Sequence, residues 1–165
     1  MEHIDVVRNY LSAYGKGDAV MEFPVSSATV ELAAQALGIE PARIAKTLSF
    51  GDKSGEGCII IVMAGDAKVD NRKFKDYFNM KARMLSHEEA LAYTGHPVGG
   101  VCPFALPAGV PVYLDISLRR FEVVYPAAGS GNSAVPMTCP ELERCSKATA
   151  WIDVCKGWNT DSQEA

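Results

Sequence analysis

The sequence predicts an α+β domain built around a mixed, curled β-sheet. Many short apolar segments of strand length run through the 165 residues, and helical segments are interspersed among them in no regular order. The strict alternation of strand and helix that a doubly wound sheet requires is not seen. No GxGxxG sequence follows a strand and no Walker A sequence is present, which disfavours the nucleotide-binding folds that use these motifs.

Helices are predicted where apolar residues recur at helical spacing. The first runs from His3 to Tyr14, the second runs through Ala36, and a third, basic helix turns Phe74, Tyr77 and Phe78 inward. Residues that can cap a helix precede three of the predicted helices. These caps are Ser27 or Thr29 for the second helix, Asp70 for the basic helix, and Ser86 with Glu89 for the next one.

Strands are predicted where β-branched or alternating apolar residues occur in short runs. The run "CIIIVMA", Cys58 to Ala64, is apolar throughout, so it predicts a central strand buried on both faces. Ile44 to Phe50 predicts a neighbouring strand, and Ala82 to Leu85 a short one. The remaining predicted strands are residues 19–23, 112–116, 121–125, 133–137 and 150–154.

Length and composition indicate a single globular domain over residues 1–165. A hydrophobic content of 48% and a charged content of 22% are ordinary for a soluble protein. No apolar run approaches the roughly 18 residues that span a bilayer, and the N-terminus lacks the basic and apolar regions of a signal peptide. We therefore expect a cytoplasmic protein with no membrane partner.

The charges limit how nucleic acid could be bound. A formal net charge of −4 argues against a protein that coats nucleic acid through bulk charge. A local basic cluster, Lys68, Arg72, Lys73 and Lys75, nevertheless lies within eight residues. It is either the solvated face of a helix or an edge that contacts phosphates.

The cysteines do not predict a metal site or a cofactor. There are five of them, Cys58, Cys102, Cys139, Cys145 and Cys155, and no two are spaced as CxxC. In a reducing compartment we expect free thiols, without zinc and without disulfides.

Lys46 is the first candidate for chemistry. It lies in "RIAKTLSF", and strand alternation places Ile44, Lys46 and Leu48 on one face. Because a buried, unpaired ammonium is costly, the side chain either snorkels to the surface or points into a polar cavity. In a cavity it could hold a phosphate or a developing oxyanion.

The stretch "HPVGGVCPF" is the second candidate. Gly99 and Gly100 leave their amides uncovered, and Pro103 stiffens the end of the loop. The loop is either a tight structural turn or a nest of N–H groups for a carbonyl oxygen. Cys102 could instead act as a nucleophile with His87 or His96 as its base, although no feature of the sequence activates the thiol.

A third candidate is the small-residue loop "YPAAGSGNSAV", Tyr125 to Val135. Two glycines after a strand allow a substrate to approach the backbone, and Ser130, Asn132 and Ser133 offer hydrogen bonds. The near-match to a GxSxG elbow lacks the required spacing. A plain turn is the alternative.

Taken in order, these pieces resemble one family. "LGIEPARIAKTLSF", a buried strand, a basic helix, "GHPVGGVCPF", "VYLD" and "VVYPAAGSGNSAV" are similar to the YbaK/prolyl-tRNA synthetase-associated editing domain, over roughly residues 20–155. The resemblance implies a barrel-like curled sheet surrounded by helices. It also implies a free-standing aminoacyl-tRNA deacylase, acting most often on mischarged tRNA for proline, with a prolyl-tRNA synthetase as a further partner.

The same resemblance implies roles for individual residues. Lys46 matches the lysine near the 3′-terminal adenosine and its phosphate. The segment Gly99 to Pro103 matches the GxxxP loop, whose amides contact the aminoacyl carbonyl, with Gly100 closest to it. Gly129 and Ser130 match the small loop that lines the pocket. An aminoacyl ester is already activated, so positioning and oxyanion stabilisation suffice for hydrolysis without a side-chain nucleophile.

Two departures from the family pattern concern the substrate. Members that remove cysteine carry an aspartate where this chain has Ala134 and a tyrosine where it has Val20. A pocket lined by Ala134 together with Val101, Ala128 and Phe104 would prefer a small apolar side chain such as that of alanine. The alternatives to a deacylase are a module that binds aminoacyl-tRNA or a synthetase without hydrolysis, and a hydrolase that depends on Cys102.

Overall fold

The computed structural model describes residues 3–97 and 99–158, which form five α-helices, ten strands and three short 3₁₀ segments. The helices are α1 (His3–Ser12), α2 (Val30–Leu37), α3 (Asn71–Phe78), α4 (His87–Thr94) and α5 (Cys139–Ser146). The strands are β1 (Met21–Glu22), β2 (Ile44–Gly51), β3 (Cys58–Ala64), β4 (Lys68–Val69), β5 (Val112–Asp115), β6 (Val123–Pro126), β7 (Ser133–Ala134), β8 (Met137–Thr138), β9 (Ala150–Ile152) and β10 (Cys155–Lys156).

A mixed six-stranded sheet forms the centre of the molecule, in the order β8-β6-β2-β3-β5-β9. β2 and β3 are antiparallel, whereas β2 with β6, β3 with β5, and β5 with β9 are parallel. Two-residue pairings of β1 with β7 and of β4 with β10 add small sheets beside it. The curled mixed sheet with surrounding helices confirms the predicted α+β class.

The central strand was predicted correctly, because every residue of β3 is buried. Two other predictions were wrong. The expected strand at 82–85 is a single bridge between Phe50 and Met84. Tyr77 is half exposed and packs edge-on against Phe78, whereas Phe74 of the same helix is fully buried. Phe78 is partly buried and packs against the core, so Tyr77 is the one of the three predicted aromatic residues that turns outward.

Helix caps follow the sequence closely. Thr29 caps α2, since its hydroxyl accepts the Leu32 amide. Asp70 caps α3 in the same way, and Ser86 with Glu89 forms the expected capping box of α4. Among the described residues, no helix is long and apolar enough to cross a membrane.

The sheet leaves a gap beside β2, and this gap positions the candidate site. β2 pairs with β6 only at its first two residues, Ile44 and Ala45. The segment that follows α3 pairs with β2 only from Ser49 onward, where the Ser49 carbonyl accepts the Leu85 amide at 3.1 Å and the Gly51 amide donates to the Arg83 carbonyl at 2.9 Å. Residues 46–48 therefore lie at a stretch of strand edge that faces a cavity rather than another strand.

Candidate functional site

A cavity of about 340 Å³ occupies the gap beside β2. Its walls come from the start of α2, the edge of β2, α4, the glycine loop and the chain from β6 to β7. The lining residues are Ser27, Ala28, Thr29, Val30, Ala33, Ile44, Ala45, Lys46, Thr47, Leu48, Ser49, Met84, Leu85, His87, Ala90, Gly99, Val101, Tyr125, Ala127, Ser133 and Ala134. Most of these side chains are small, so a ligand in the cavity can come close to the backbone of its walls.

Lys46 contributes the cation of this cavity. Its side chain is half buried, and it forms neither an ion pair nor a hydrogen bond with any residue that the structure describes. Burial lowers the pKa of the Lys46 ammonium, and the neighbouring charge of Lys68 adds to this effect. A cation that is partly desolvated and unpaired can bind an anionic group strongly.

The glycine loop reaches the cavity through Gly99 and Val101. Gly99 has a φ of +81°, and the Gly100 amide donates to the Pro97 carbonyl at 2.9 Å, which closes a tight turn. Within the described chain, the amides of Gly99 and Val101 donate no hydrogen bond. Two N–H groups of the loop are therefore available to a substrate, whereas that of Gly100 is used by the turn.

The small-residue loop packs directly behind the glycine loop. A Cβ placed on Gly100 would lie 2.7 Å from the carbonyl carbon of Gly129 and 2.7 Å from the amide nitrogen of Ser130, so the two backbones are in contact. Helix α1 supports the other side, where Val7 lies against Gly129. The Ser130 hydroxyl lies 2.8 Å from the hydroxyl of Ser133, which does line the cavity.

The structure brings together some of the predicted site residues and separates others. Lys46, Gly99, Val101 and Ala134 line the cavity. The rest lie behind its wall, in the two loops or in the core beneath them. These residues are Gly100, Cys102, Pro103, Phe104, Ala128, Gly129 and Ser130.

The Cys102 thiol lies in surroundings that oppose nucleophilic catalysis. It is fully buried, and burial raises its pKa to about 12. His96 Nε2 lies 3.5 Å from the sulfur and only 2.7 Å from the Phe104 carbonyl oxygen. A carbonyl only accepts, so Nε2 carries the hydrogen and cannot take a proton from the thiol. His96 therefore cannot serve as the base for Cys102, and the other predicted base, His87, lines the cavity whereas Cys102 does not.

His96 connects the glycine loop to the N-terminal helix. With Nε2 protonated, its Nδ1 accepts from His3 Nε2, 2.7 Å away. Burial lowers the pKa of His96 to about 4, with a smaller contribution from the nearby His3. The neutral ring thus holds the carbonyl of Phe104, at the end of the loop, in a fixed position.

Two lining residues that sequence reasoning missed as site residues, Ser27 and Thr47, each carry a buried hydroxyl. Ser27 Oγ and Thr47 Oγ1 are buried and have no hydrogen-bond partner among the described residues. An unsatisfied buried hydroxyl costs free energy, so such groups are often found where a ligand supplies the partner. Thr47 could have been noticed as the neighbour of Lys46; nothing in the sequence distinguishes Ser27 from an ordinary cap.

The basic cluster does not act as one surface. The Lys73 ammonium donates to Asp153 and to the Cys155 carbonyl, at 3.0 and 3.1 Å, and so holds α3 against the end of the chain. Arg72 and Lys75 are exposed on α3. Lys68 lines a second cavity, which also contains Lys46. In the part of the chain that the structure describes, no group of three or more His, Cys, Asp or Glu residues could hold a metal ion.

Comparison with known proteins determines the family. The profile of the aminoacyl-tRNA editing domain matches residues 25–145, which include β2, the glycine loop and the small-residue loop. The chain belongs to the aminoacyl-tRNA editing domain family. The resemblance noted in the sequence, and the deacylase class that it implied, are thereby confirmed at the level of the family.

Individual relatives of this editing domain agree in extent and fold. Bacillus subtilis YwhH is 52% identical over 152 residues, 92% of this chain and 96% of that protein. Enterococcus faecalis EbsC, named as a candidate Cys-tRNA(Pro)/Cys-tRNA(Cys) deacylase, is 33% identical over 66% of each chain. A crystal structure described as a candidate trans-editing enzyme for prolyl-tRNA synthetase superimposes with a TM-score of 0.84 at 29% identity, covering 95% of this chain and 99% of the other.

Proposed function

We propose that this editing domain acts in trans as a hydrolase that removes a small amino acid from mischarged tRNA for proline in the cytoplasm. The observation that carries the proposal is the lining of the cavity beside β2, which includes Lys46 together with Gly99 and Val101, whose amides donate no hydrogen bond within the described residues. Such a site can accommodate an ester whose carbonyl oxygen becomes negative during hydrolysis. The names of the EbsC and trans-editing relatives support the same class of substrate.

The amides of Gly99 and Val101 stabilise the oxyanion in this mechanism. Water attacks the ester carbonyl carbon, and the carbonyl oxygen acquires the negative charge that the two N–H groups receive. The bond from the carbonyl carbon to the ribose oxygen then breaks, the ribose oxygen takes up a proton, and the amino acid leaves as a carboxylate. One well-placed oxyanion donor contributes on the order of 3 kcal/mol, or roughly a hundredfold in rate.

Lys46 binds the nucleic acid end of the substrate. Its ammonium is at the cavity and forms no ion pair with a described residue, so a phosphate of the terminal nucleotide is a suitable partner. The resemblance to the family implies that a terminal ribose hydroxyl beside the ester orients the attacking water, and none of the residues that line the cavity is a carboxylate. Positioning by the lysine and polarisation by the amides then share the catalytic work.

The cavity favours a small side chain on the amino acid. Ala134 stands where cysteine-removing members have an aspartate, and Ala28, Ala33 and Ala127 line the same space. The hydroxyls of Ser27 and Thr47 are suited to the polar α-amino group, which every aminoacyl ester carries. We propose alanine or a similar small residue as the amino acid removed, and a prolyl-tRNA synthetase as the enzyme whose errors are corrected.

The test is deacylation of tRNA for proline charged separately with alanine, 2-aminobutyrate, serine, cysteine and proline. We expect fast hydrolysis of one small mischarged amino acid, with prolyl-tRNA spared. Lys46→Ala should slow that reaction on the order of a hundredfold, because Lys46 is the only lysine or arginine among the described residues that line the cavity. Cys102→Ala should retain most of the activity, because the loop contributes its backbone.

Three results would contradict the proposal or a part of it. Equal losses in the Lys46 and Cys102 variants would contradict the assignment of roles. Binding of the charged tRNA without turnover of any ester would instead identify a module that binds aminoacyl-tRNA without hydrolysing it. Fastest turnover of the cysteinyl ester would leave the deacylase in place and overturn the preference for a small apolar amino acid.

A further inference from the structure

A second cavity, of about 290 Å³, adjoins the first on the side-chain face of β2. Three residues, Lys46, Leu48 and Met84, line both cavities, so the two spaces meet at the lysine. Strand alternation explains the arrangement, because Lys46, Leu48 and Phe50 project to the same face. The rest of the lining consists of Lys68, Val69, Asn71 and Ala82.

The lining of the second cavity combines positive charge with apolar surface. Lys46 and Lys68 supply two ammonium groups, and none of the eight lining residues is acidic. Leu48, Ala82 and Met84 add apolar surface to the same lining, and Met84 keeps 57% of its surface exposed. A ligand with a flat apolar body and an anion attached to it, as in a nucleotide, fits this combination.

An excess of positive charge at this position indicates an anionic ligand independently of the cavity. Lys68 and Lys156 are direct partners in the antiparallel pairing of β4 with β10, and like charges directly opposite each other destabilise a sheet. Lys68 forms no ion pair within residues 3–97 and 99–158. The two carboxylates that flank β4 in the sequence are already engaged, because Asp66 binds Arg120 and Asp70 caps α3.

We propose that the second cavity binds the nucleotide that precedes the aminoacylated one, with its own 5′ phosphate at Lys68, while Lys46 holds the phosphate that joins it to the terminal nucleotide. This inference rests on the proposed function, which places the terminal nucleoside and its ester in the first cavity. An RNA strand that leaves the first cavity at Lys46 enters the second cavity directly. The base of this nucleotide lies against Leu48 and Met84, and the RNA continues past Lys68 towards the solvent.

The test uses the uncharged RNA trinucleotide cytidine-cytidine-adenosine, whose affinity is measured by nuclear magnetic resonance titration over a series of salt concentrations. Lys68→Ala should weaken binding roughly tenfold and reduce the slope of log affinity against log salt by about 0.7, because one phosphate contact is lost. Lys68→Arg keeps the charge and should bind within twofold of the wild type. Lys53→Ala, an exposed lysine in the loop between β2 and β3, is the matched control and should also bind within twofold.

Adenosine monophosphate shows which nucleotide Lys68 contacts. It occupies the terminal position only, so Lys68→Ala should leave its affinity unchanged. A second variant, Ala82→Leu, fills the second cavity without touching the first and should weaken the trinucleotide alone. Trinucleotide affinity in Lys68→Ala equal to that of Lys53→Ala, or an equal loss for the monophosphate, would overturn the proposal.

The binding measurement separates this inference from the proposed function. A chain that binds the trinucleotide through Lys68 but hydrolyses no aminoacyl ester would overturn the hydrolase and support the second cavity. A chain that hydrolyses its ester while Lys68→Ala binds the trinucleotide normally would overturn the second cavity alone.

Discussion

Thr47 in β2 carries a buried hydroxyl that lacks a hydrogen bond. Its Oγ1 has no partner among the residues that the structure describes, and the residue lines the cavity next to Lys46. A buried hydroxyl without a hydrogen bond costs about 1–3 kcal/mol relative to a satisfied one. The fold has retained a group that lowers its own stability, which is expected where the substrate provides the missing partner.

We predict that Thr47→Val separates stability from activity. Valine has nearly the same shape and suits a strand, so the free energy of unfolding should be unchanged or rise by up to about 1 kcal/mol. Deacylation should slow about tenfold, because one hydrogen bond to the substrate is lost. Urea denaturation and single-turnover deacylation measure the two effects.

Thr94 provides the matched control for Thr47. It is also a buried threonine, but its hydroxyl donates to the Ala90 carbonyl at 2.6 Å and accepts the His96 amide at 3.1 Å. Thr94→Val should therefore destabilise the fold by about 1–2 kcal/mol. If Thr47→Val lost as much stability as Thr94→Val, or kept full activity, the hydroxyl of Thr47 would have no role in substrate binding.

At this scale the sequence predicted the positions that depend on local pattern. Strand alternation placed Lys46 on the same side as Leu48, and both line the second cavity. The isolation of the Cys102 thiol from a base could not be predicted, because it depends on the hydrogen that His96 donates to Phe104. The unpaired hydroxyls were likewise beyond sequence reasoning, since a missing partner is a property of the whole fold.

At the scale of elements, the site depends on two loops that touch backbone to backbone. Gly100 has no space for a side chain, because Gly129 and Ser130 lie against it. This contact sets the distance between the glycine loop and the small-residue loop. The free amides of Gly99 and Val101 therefore depend for their position on a glycine that does not itself line the cavity.

We predict that Gly100→Ala damages both stability and activity. The new Cβ would approach backbone atoms at 2.7 Å, and backbone cannot rotate away as a side chain can. Overpacking of this kind costs about 1–3 kcal/mol, and the loops must separate to relieve it. Deacylation should fall more than tenfold, since oxyanion donors act only at the correct distance.

Gly131→Ala is the matched control in the same pair of loops. A Cβ at Gly131 would meet only Ala28, at the ordinary distance of 3.7 Å. The change should therefore leave stability within about 0.5 kcal/mol and activity nearly intact. Equal tolerance of both substitutions, measured by thermal unfolding and deacylation, would mean that the contact between the loops is unimportant.

Elements with local signals were predicted well, and those with long-range pairing were not. The caps of α2, α3 and α4 use residues within three positions of each other, so the sequence is sufficient to find them. The two-residue strands β4 and β10 pair across 86 to 88 positions of the chain, and their composition does not mark them as strands. The segment at 82–85 has a strand-like composition, yet it joins the sheet at a single bridge.

At the scale of the molecule, the N-terminal helix and the glycine loop form one unit through His3 and His96. The two residues are 93 positions apart in sequence, yet His3 Nε2 lies 2.7 Å from His96 Nδ1. His96 is almost fully buried, and beside it lie His3 and the thiol of Cys102. The whole arrangement requires a neutral His96 ring, because the Nδ1 that accepts from His3 must carry no proton.

This requirement predicts a dependence of stability on pH. His96 has a pKa of about 4 in the folded protein against an ordinary value of 6.5, so between these values the unfolded chain binds more protons than the folded one. Stability is therefore lost as the pH falls through this window, and the gap between the two pKa values corresponds to about 3 kcal/mol.

In His96→Gln, whose amide can still donate to the Phe104 carbonyl, the free energy of unfolding should fall less steeply between pH 6.5 and 4. His87→Gln, at an exposed histidine, should follow the wild type, and urea denaturation at intervals across this range compares the three proteins. A wild-type slope retained in His96→Gln would show that the buried ring does not carry the acid sensitivity.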